Sequence, residues 1–304
     1  MQIHRSLHDL PRGASVAMGN FDGVHLGHQA VLNLARGDAP LGVVTFEPHP
    51  RQYFARDTAF RLMNAEARAN RLAKLGVEHL YELPFDATLA AMTPDEFARS
   101  VLAGALGISH VVVGSDFCFG RGRTGTAADL QALGLRYGFR TTIATLVQIA
   151  GQDISSTAIR RALSDGRPRD AAAMLGHLHR IEGEVIHGEK RGRQLGYPTA
   201  NMDVTGLHLP KFGVYAVRVD ILTGPQAGQY IGAGYLGVRP MFGENQPNLE
   251  TFLLDFEGDL YGHHLSVALV DYLRPEMEFD GLPGLLTQMA ADCATARTIL
   301  EQPA

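Results

Sequence analysis

Two histidines that could stabilise negative charge, His25 and His28, stand near the N-terminus with two residues between them. Gly19 and Gly23 punctuate the segment before them, and Gly27 lies between them. On the first turn of a helix, side chains three residues apart share one face, so both imidazoles would point into one site. Helix N-termini attract anions, and glycines let phosphate approach the backbone closely. The spacing predicts a nucleoside triphosphate site in which imidazole donors stabilise charge on the α-phosphate without a protein nucleophile.

Other interpretations of the histidine pair are open from these residues alone. Histidines at this spacing on a helix are often ordinary surface or half-buried residues. A zinc site is a weaker alternative, because no third ligand stands at a typical spacing from the pair. The residues that flank the pair therefore carry the interpretation.

The flanking residues extend the pattern. In chain order the string contains Asn20, Phe21, Asp22, Gly23, His25, Gly27 and His28. It is similar to the HxGH nucleotidyltransferase pattern of the bacterial bifunctional riboflavin kinase and FAD synthetase family, and the resemblance covers nearly the whole chain. It implies that residues 19–23 and Gly27 bind the nucleotide and that His25 and His28 are catalytic.

The elements that must position these residues alternate between apolar strands and helices. A strand beginning at Ser15 leads into the histidine helix, and buried strands are predicted at 42–46, 110–114 and 141–147. Helices are predicted between them: one capped by Asn64, one from a capping box at Thr93 to Leu106, and one at 126–137. This order predicts an α/β fold with a Rossmann-like, doubly wound parallel sheet, although no GxGxxG dinucleotide fingerprint occurs.

Two of these strands end in polar or aromatic strings. The TFEPHP string occupies 45–50, and Asp116, Phe117 and Phe119 follow the strand at 110–114. Ligands of α/β sheets bind at the carboxyl ends of strands. Asp116 could hydrogen-bond a base or ribose and the phenylalanines could wall a ring, whereas a plain turn with aromatic core anchors is the alternative. Both strings resemble those of the family.

A hydroxyl-rich segment opens a later helix with Ser155, Ser156 and Thr157, and Arg160 lies about one turn further on. Such hydroxyls can cap a helix or bind phosphate. The ISSTAIR string at 154–160 is similar to the ISSTxIR element of the family. The resemblance implies that these four residues gather the triphosphate, with Arg160 as a bidentate donor to the departing pyrophosphate.

The pattern changes near residues 177–182, beyond a predicted helix at 168–175. Short strands with glycine turns are predicted at 181–187, 213–220, 230–236, 250–256 and 265–273, followed by a helix at 283–300. This spacing predicts a small β-barrel with a C-terminal helix. An apolar stripe on that helix, formed by Leu285, Leu286, Met289, Cys293 and Ala296, is expected to cover the barrel rather than hold a cofactor. The domains expected are an FAD synthetase domain at 1–178 and a riboflavin kinase domain at 182–304.

A second informative string runs from 188 to 201 and is similar to the riboflavin kinase element GxxxGRxLGxPTAN. Its residues with expected ligand roles are Gly188, Gly192, Arg193, Pro198, Thr199 and Asn201. The glycine loop can fold over phosphates with its N–H groups, and Thr199 and Asn201 offer neutral oxygens for a phosphate-bound Mg²⁺. From composition alone, a basic glycine loop without a ligand is the alternative.

An acidic residue, Glu250, opens the ETFLLDF string at 250–256, which resembles the kinase segment containing the family's acidic base. A carboxylate there can take the proton from a primary hydroxyl that attacks the γ-phosphate. The chain departs from the family nearby, with Tyr235, Met241 and Phe252 where asparagine, threonine and histidine are common. These departures concern the flavin pocket and kinase efficiency, not the PTAN tetrad at 198–201.

Composition limits the class of protein. The 304 residues suffice for two domains, and 45% hydrophobic content supports a core in each. A net charge of −5 argues against nucleic-acid binding, which rests on many basic side chains. The N-terminus lacks a signal-like apolar region, no run approaches a membrane span, and Cys118 and Cys293 lie in unrelated segments. We expect a cytoplasmic enzyme of small-molecule substrates without a membrane partner, and the sequence carries no signal for its oligomeric state.

The resemblance as a whole implies a bifunctional enzyme that uses ATP and Mg²⁺. Its second half would phosphorylate riboflavin to FMN, and its first half would adenylylate FMN to FAD with release of pyrophosphate. The FMN phosphate is already an anion, so positioning and charge stabilisation suffice there, whereas the kinase reaction starts from a neutral hydroxyl and needs a base. Two alternatives remain: an HxGH transferase for another nucleotide, and a flavin-binding protein with a decayed kinase half.

Overall fold

The computed structural model describes residues 1–55, 59–145, 148–149, 152–187, 196–238 and 246–302. The chain divides into two compact units. The first contains Met1–Thr58 and Arg68–Ser155, and the second contains Ala59–Ala67 and Ser156–Ala304. The short stretch at 59–67 therefore groups with the C-terminal part of the chain, which no sequence pattern predicts.

The first unit is built from short strands and helices in alternation. Its strands are β1 (Gln2–His4), β2 (Ser15–Met18), β3 (Leu41–Glu47), β4 (His79–Pro84), β5 (His110–Gly114), β6 (Cys118–Phe119), β7 (Gly125–Thr126), β8 (Arg140–Ala144), β9 (Gln148–Ile149) and β10 (Gln152–Asp153). Its helices are α1 (Leu26–Ala35), α2 (Pro50–Phe54), α3 (Ala65–Lys74, shared with the second unit), α4 (Ala87–Ala91), α5 (Pro94–Glu96) and α6 (Ala127–Tyr137), with a π-helix at Phe97–Ala105 and a 3₁₀ turn at Arg121–Arg123.

Six strands form one parallel sheet in the order β1-β4-β3-β2-β5-β8. From β2 the chain adds β3 and β4 on one side, and then adds β5 and β8 on the other. The doubly wound parallel sheet predicted from the sequence is confirmed. The reversal leaves a crevice at the carboxyl ends of β2 and β5, which is where such sheets bind ligands.

The sheet is buried on both faces, which explains why its strands read as unbroken apolar runs. All four residues of β2 are buried, and Val44, Val111 and Val113 have no exposed surface. Parallel strands covered by helices on both sides have this composition. The core therefore holds the strand ends, and the loops that follow them, in fixed positions.

Capping residues locate the helix starts in the first unit. Asn64 caps α3 by accepting a hydrogen bond from the N–H of Ala67 at 2.8 Å, and Thr126 caps α6. The helix predicted from the capping box at Thr93 to Leu106 is present, and α5 continues after Glu96 as the π-helix. Capping residues indicate where a helix starts and not how its later turns are hydrogen-bonded, so the π type was not predicted.

Beyond residue 155, the described part of the second unit has two helices, a barrel and a terminal helix. These are α7 (Ser156–Ser164), α8 (Pro168–Leu175), β11 (His179–Ile186), β12 (Ala200–Asp203), β13 (Gly213–Ile221), β14 (Gly228–Val238), β15 (Pro247–Leu253), β16 (His264–Arg274) and α9 (Gly281–Leu300). The strands close in the order β11-β12-β15-β14-β13-β16. The predicted β-barrel with a C-terminal helix is confirmed.

Three details of the barrel differ from the sequence prediction. Strand β12 was not predicted, because it has only four residues and directly follows a proline-containing turn. Strand β15 ends at Leu253, three residues before the predicted end, because the chain turns at Asp255, whose φ of 55° lies in the left-handed region. Strand β11 begins at His179, so the expected kinase boundary at 182 falls inside a barrel strand.

Barrel strands alternate between an inner and an outer face. Tyr215, Val217 and Val219 point into the barrel core and are fully buried. On the outer face of β13, Ala216 packs with Ala296 and Leu300 of α9. The terminal helix therefore covers the barrel through Ala296, as its apolar stripe predicts.

His179, at the start of β11, is a buried imidazole with a consequence for acid stability. It is 3% exposed, and burial lowers its pKa to about 3, with smaller contributions from His177 and His208. The folded protein thus binds fewer protons here than the unfolded chain, whose imidazole titrates near 6.5. The stabilisation is complete above pH 6.5 and is lost as the pH falls towards 3, by about 1.4 kcal/mol per pH unit.

We predict that His179→Gln makes the urea midpoint of the second unit less sensitive to pH between 6.5 and 4 than in the wild type. The exposed His8 is a matched control, so His8→Gln should leave the slope unchanged. Circular dichroism of the full chain at several pH values provides the measurement. Equal slopes for wild type and His179→Gln would contradict the assignment.

Candidate active sites

The first candidate site is the turn between β2 and α1. Phe21 and Val24 have φ angles of 52° and 44°, in the left-handed region that such residues rarely adopt, and both are buried. Gly23 has φ 86°. At Gly27, an added Cβ would lie 3.1 Å from the His25 ring. The turn is therefore compact, and glycine at 27 lets the helix backbone pass close to an imidazole.

His25 and His28 are in direct contact at the start of α1. His25 is the N-cap, and its Nδ1 accepts a hydrogen bond from the His28 N–H at 3.3 Å. The two rings stack with centroids 3.7 Å apart. Because Nδ1 of His25 is an acceptor, the proton of its neutral ring lies on Nε2, which becomes a donor.

The environment keeps His28 uncharged. Burial lowers its pKa well below 6.5, and the neighbouring His25 lowers it further. Its Nδ1 is buried and has no hydrogen-bond partner among the described residues. The pair can therefore donate N–H groups at neutral pH without carrying two positive charges at van der Waals distance.

A buried arginine that sequence reasoning missed anchors this turn. Arg68 on α3 is 1% exposed and pairs with Glu82 at 2.8 Å and with Glu47 at 3.0 Å. Its guanidinium also lies 3.4 Å from the carbonyl oxygen of Asn20, which accepts a second hydrogen bond from the Thr45 hydroxyl at 3.1 Å. One signal was available, since Arg68 and the buried Leu72 are four residues apart on α3 and share a face.

Arg68→Met should lower the free energy of unfolding of the first unit by roughly 3–5 kcal/mol, because Glu82 would stay buried and, among the described residues, would keep only the exposed Arg5 as an ion-pair partner. The double variant Arg68→Met/Glu82→Leu should recover part of this loss. Arg136→Met, which breaks an exposed pair with Asp95, should cost at most about 1 kcal/mol. Denaturant unfolding checks the series, and an Arg68 variant as mild as the Arg136 control would refute it.

The predicted Asp116 segment divides into exposed and core residues. Asp116 lies two residues after the end of β5 and is exposed. A Cβ added at Gly114 would lie 2.9 Å from a carboxylate oxygen of Asp116, so glycine at 114 leaves room for this side chain. Phe119 is buried and packs on Phe97, while Phe117 stacks on Phe119. Phe119 is therefore a core anchor rather than a ring wall, which is the alternative that the sequence left open.

An aromatic cluster not predicted from the sequence follows β3 and β4. Phe54, 71% exposed, lies edge-on to Tyr53 and Phe85, with ring centroids 5.1 Å and 5.8 Å away. His49 holds α2 in place through a capping box with Gln52. Exposed aromatic rings beside the carboxyl ends of parallel strands suit stacking of a flat ligand ring.

The hydroxyl-rich segment lies at the boundary of the two units. Ser155 ends the first unit, whereas Ser156, Thr157 and Arg160 belong to the second. Arg160 donates from Nε to the carbonyl oxygen of Phe60 at 2.6 Å, and its guanidinium lies 5.4 Å from the centroid of the Phe60 ring. Joint action of these residues with the histidine pair stays a prediction.

The second candidate site lies on the outer face of the barrel. Strand register sets Glu250 of β15 directly opposite Asn201 of β12 on one side and Tyr235 of β14 on the other. Asn201 and Glu250 are 9% and 6% exposed. Residues from three separate parts of the sequence are thus brought into one row across three strands.

A cavity of about 240 Å³ opens beside this row. The barrel contributes Thr199, Val214, Ala233, Tyr235, Glu250 and Phe252, and α9 with the segment before it contributes Glu276, Met277, Phe279, Leu285, Met289 and Cys293. Three residues of the apolar stripe therefore line this cavity. Leu285, Met289 and Cys293 thus face a cavity between α9 and the barrel, while Ala296 of the same stripe packs on β13.

Polar contacts hold the cavity wall together. Arg274 and Asp292 form a largely buried ion pair at 2.7 Å, and Tyr235 donates its hydroxyl hydrogen to Glu276 at 2.5 Å. Phe252 packs on Tyr197 with ring centroids 5.0 Å apart. The residues that depart from the family at 235 and 252 thus serve as wall residues of the cavity.

The PTAN tetrad contributes oxygens that suit a hard cation. Asn201 donates its amide hydrogen to the carbonyl oxygen of Thr199 at 3.2 Å, which turns its own Oδ1 the other way. Pro198 is exposed immediately before Thr199. Among the described residues, no cluster of three or more histidine, cysteine or acidic side chains could hold a metal ion. Neutral oxygens in small number fit Mg²⁺ that takes most of its ligands from phosphates and water.

Several predicted residues lie outside the described part of the chain. These are Gly188, Gly192 and Arg193 of the phosphate loop, and Met241 of the family departures. Asp255, the next acidic residue after Glu250 in the sequence, is 74% exposed in its side chain and paired with Arg297. It is therefore no part of the cavity wall.

Comparison with known proteins identifies the family to which the chain belongs. The FAD synthetase family matches residues 7–158, and the riboflavin kinase family matches residues 175–300. The bifunctional riboflavin kinase/FMN adenylyltransferase of Pseudomonas fluorescens is 40% identical over 98% of both chains. That of Escherichia coli K12 is 38% identical over 98% of this chain and 97% of its own.

The chain belongs to the bifunctional riboflavin kinase/FMN adenylyltransferase family. It phosphorylates riboflavin to FMN and adenylylates FMN to FAD, with ATP as the second substrate of both reactions. A crystal structure from Streptococcus pneumoniae, titled as a macrolide-efflux protein, has a TM-score of 0.82 and 32% identity over 97% of this chain and 98% of its own. No helix in the described ranges is long and apolar enough to cross a membrane.

Membership decides between the alternatives that the sequence left open. A transferase for another nucleotide would not carry a matching riboflavin kinase region. A flavin-binding protein with a decayed kinase half is likewise disfavoured, because the match to the bifunctional enzymes extends over nearly the whole chain. The chain is therefore a flavin-producing transferase with small-molecule substrates.

Proposed function

We propose that riboflavin phosphorylation takes place in the barrel cavity, with Glu250 as general base and Thr199 and Asn201 as the oxygens that hold Mg²⁺. The observation that carries this proposal is the row of Asn201, Glu250 and Tyr235 across β12, β15 and β14 at the edge of the cavity. Asn201, on the proposed cation side, and Tyr235, on the proposed flavin side, therefore lie on opposite sides of the Glu250 carboxylate.

The chemistry required of this carboxylate is limited. The 5′-hydroxyl of riboflavin attacks the γ-phosphorus of ATP, its proton passes to Glu250, and the bond to the ADP oxygen breaks. Mg²⁺, when bound, neutralises charge on the transferred phosphoryl group. The apolar side chains on α9 and the phenylalanines of the wall suit the isoalloxazine ring. Gly188, Gly192, Arg193 and Pro198 are proposed to bind the ATP phosphates.

Adenylylation is proposed to occur at the turn between β2 and α1. An oxygen of the FMN phosphate attacks the α-phosphorus of ATP, and pyrophosphate leaves, so no proton has to be removed from the nucleophile. Neutral His25 and His28 donate N–H groups to the charge that develops. We propose that the remaining ligands of this site are Gly19, Asn20, Phe21, Asp22, Gly23, Gly27, Asp116, Ser155, Ser156, Thr157 and Arg160.

The boundaries and location follow as part of the same proposal. We assign adenylylation to residues 1–178 and riboflavin phosphorylation to 182–304, supported by the family matches at 7–158 and 175–300. A cytoplasmic location is proposed because both reactions consume ATP. Phe54 with its aromatic neighbours is a proposed stacking surface for the FMN ring.

Replacement of Glu250 by Gln tests the kinase assignment. Glu250→Gln preserves size and removes the base, so kcat for FMN formation should fall by roughly 10²- to 10⁴-fold, about 3–5 kcal/mol. Riboflavin and ATP binding should change little. Asp255→Asn is a matched control on the turn after the same strand and should retain kinase activity. Chromatography of FMN after incubation with riboflavin and Mg-ATP supplies the measurement. Full activity of Glu250→Gln would contradict the proposal that Glu250 is the general base.

Replacement of His28 by Ala tests the adenylylation assignment. FAD formation from supplied FMN should fall by about 10²- to 10³-fold or more, because a donor to the developing charge is lost. FMN formation from riboflavin in the same preparation should persist. Leu34→Ala, an exposed change on the same helix, is the control for general damage to α1. Equal loss of FMN and FAD in a folded His28→Ala protein would contradict the two-site assignment.

A further inference from the structure

Asn248 lies beside the kinase row but carries none of the roles assigned above. It is on β15, two residues before Glu250, so both side chains are on the same face of the strand. Its register partner on β12 is Asp203, two residues after Asn201. The barrel therefore brings Asn248 diagonally next to Asn201 and alongside Glu250.

One amide group of Asn248 serves both neighbours. Its Nδ2 donates to Oδ1 of Asn201 at 3.2 Å and to Oε1 of Glu250 at 3.3 Å. Both hydrogens of the amide are thus directed at the two side chains proposed for metal binding and proton transfer. No third side chain is needed to connect them.

The orientation of this amide follows from its partners. The Glu250 carboxylate can only accept hydrogen bonds. Asn201 directs its amide nitrogen at the Thr199 carbonyl oxygen, so it presents its oxygen, an acceptor, to Asn248. A flipped Asn248 would turn its oxygen towards two acceptors. The observed orientation is therefore the one that the surrounding chemistry requires.

This arrangement leaves one buried oxygen atom of Asn248 without a hydrogen bond. Oδ1 of Asn248 is buried and has no hydrogen-bond partner within the described ranges. A buried acceptor without a partner is destabilising. A buried polar atom without a partner calls for an explanation, and here the explanation lies in the amide nitrogen of the same side chain.

We propose that Asn248 is a positioning residue of the riboflavin kinase site, which holds the Asn201 oxygen and the Glu250 carboxylate at a fixed separation for a phosphate-bound divalent cation and the flavin hydroxyl. Without its amide, the two acceptor oxygens would lose the donor that connects them. This inference rests on the roles proposed above for Asn201 and Glu250. Outer partners of metal ligands commonly change affinity or activity by about 10- to 100-fold when removed.

The test uses the full chain with Asn248→Leu, which is similar in size and removes both donors. We expect kcat for FMN formation to fall by about 10- to 100-fold while KM for riboflavin stays near the wild-type value. Calorimetric titration with ADP should show a smaller difference between Mg²⁺ and EDTA buffers than in the wild type. FAD formation from supplied FMN should be unchanged, because its proposed site is in the first unit.

A matched control is available on the same strand. The Thr251 hydroxyl is buried without a hydrogen-bond partner among the described residues, so Thr251→Val removes a polar group from β15 that is not hydrogen-bonded to Asn201 or Glu250. It should retain kcat and Mg²⁺-dependent ADP binding. Asn248→Ser, which keeps one donor, should have a kcat between those of Asn248→Leu and the wild type. It replaces Asn248→Leu in the test if that variant does not fold.

The outcomes separate this inference from the function on which it rests. Wild-type kcat and Mg²⁺-dependent ADP binding in Asn248→Leu, with a large loss in Glu250→Gln, would overturn the role of Asn248 alone. Full activity in Glu250→Gln would instead overturn the proposed base. Equal losses in Asn248→Leu and Thr251→Val would show that strand packing, not the amide, is responsible, and would also overturn the inference.

Discussion

Backbone hydrogen bonding between strands is the constraint on which both active sites depend. In the barrel, antiparallel register brings Asn201, Glu250 and Tyr235 into one row although they are far apart in the sequence. A slip of one residue in β15 would turn Glu250 into the apolar interior and Leu249 out towards the cavity. In the parallel sheet, the same kind of ladder brings the carboxyl ends of β2 and β5 together and creates the crevice at which the histidine turn lies.

The first unit handles buried polar groups in two opposite ways. Arg68 keeps its charge, because Glu82 and Glu47 neutralise it and provide hydrogen-bond acceptors. His28 instead stays uncharged, because burial and the neighbouring His25 lower its pKa. The turn thus has a charge-paired arginine behind it and a neutral imidazole within it.

The two sites differ because their nucleophiles differ. Phosphate is ionised before it attacks, so the adenylylation site needs donors and a shaped backbone but no base. A hydroxyl must lose its proton, and the barrel accordingly presents a largely buried carboxylate next to neutral oxygens. Glu250 accepts a hydrogen bond from its strand neighbour Asn248, so the direction of the proposed base depends on that neighbour.

Local sequence was sufficient for much of the architecture and for the motif residues. Apolar runs identify the buried strands, capping residues such as Asn64 and Thr126 locate helix starts, and glycine spacing identifies the phosphate turn, because each depends on residues close in the chain. The family resemblance carried by these strings pointed to both activities. Only the tertiary structure assigned 59–67 to the second unit. It also showed that Leu285 lines the cavity, that Arg68 pairs with a buried glutamate, and that Asn248 hydrogen-bonds to Asn201. Those contacts join segments distant in sequence, and no local pattern encodes which pairs of strands and helices will meet.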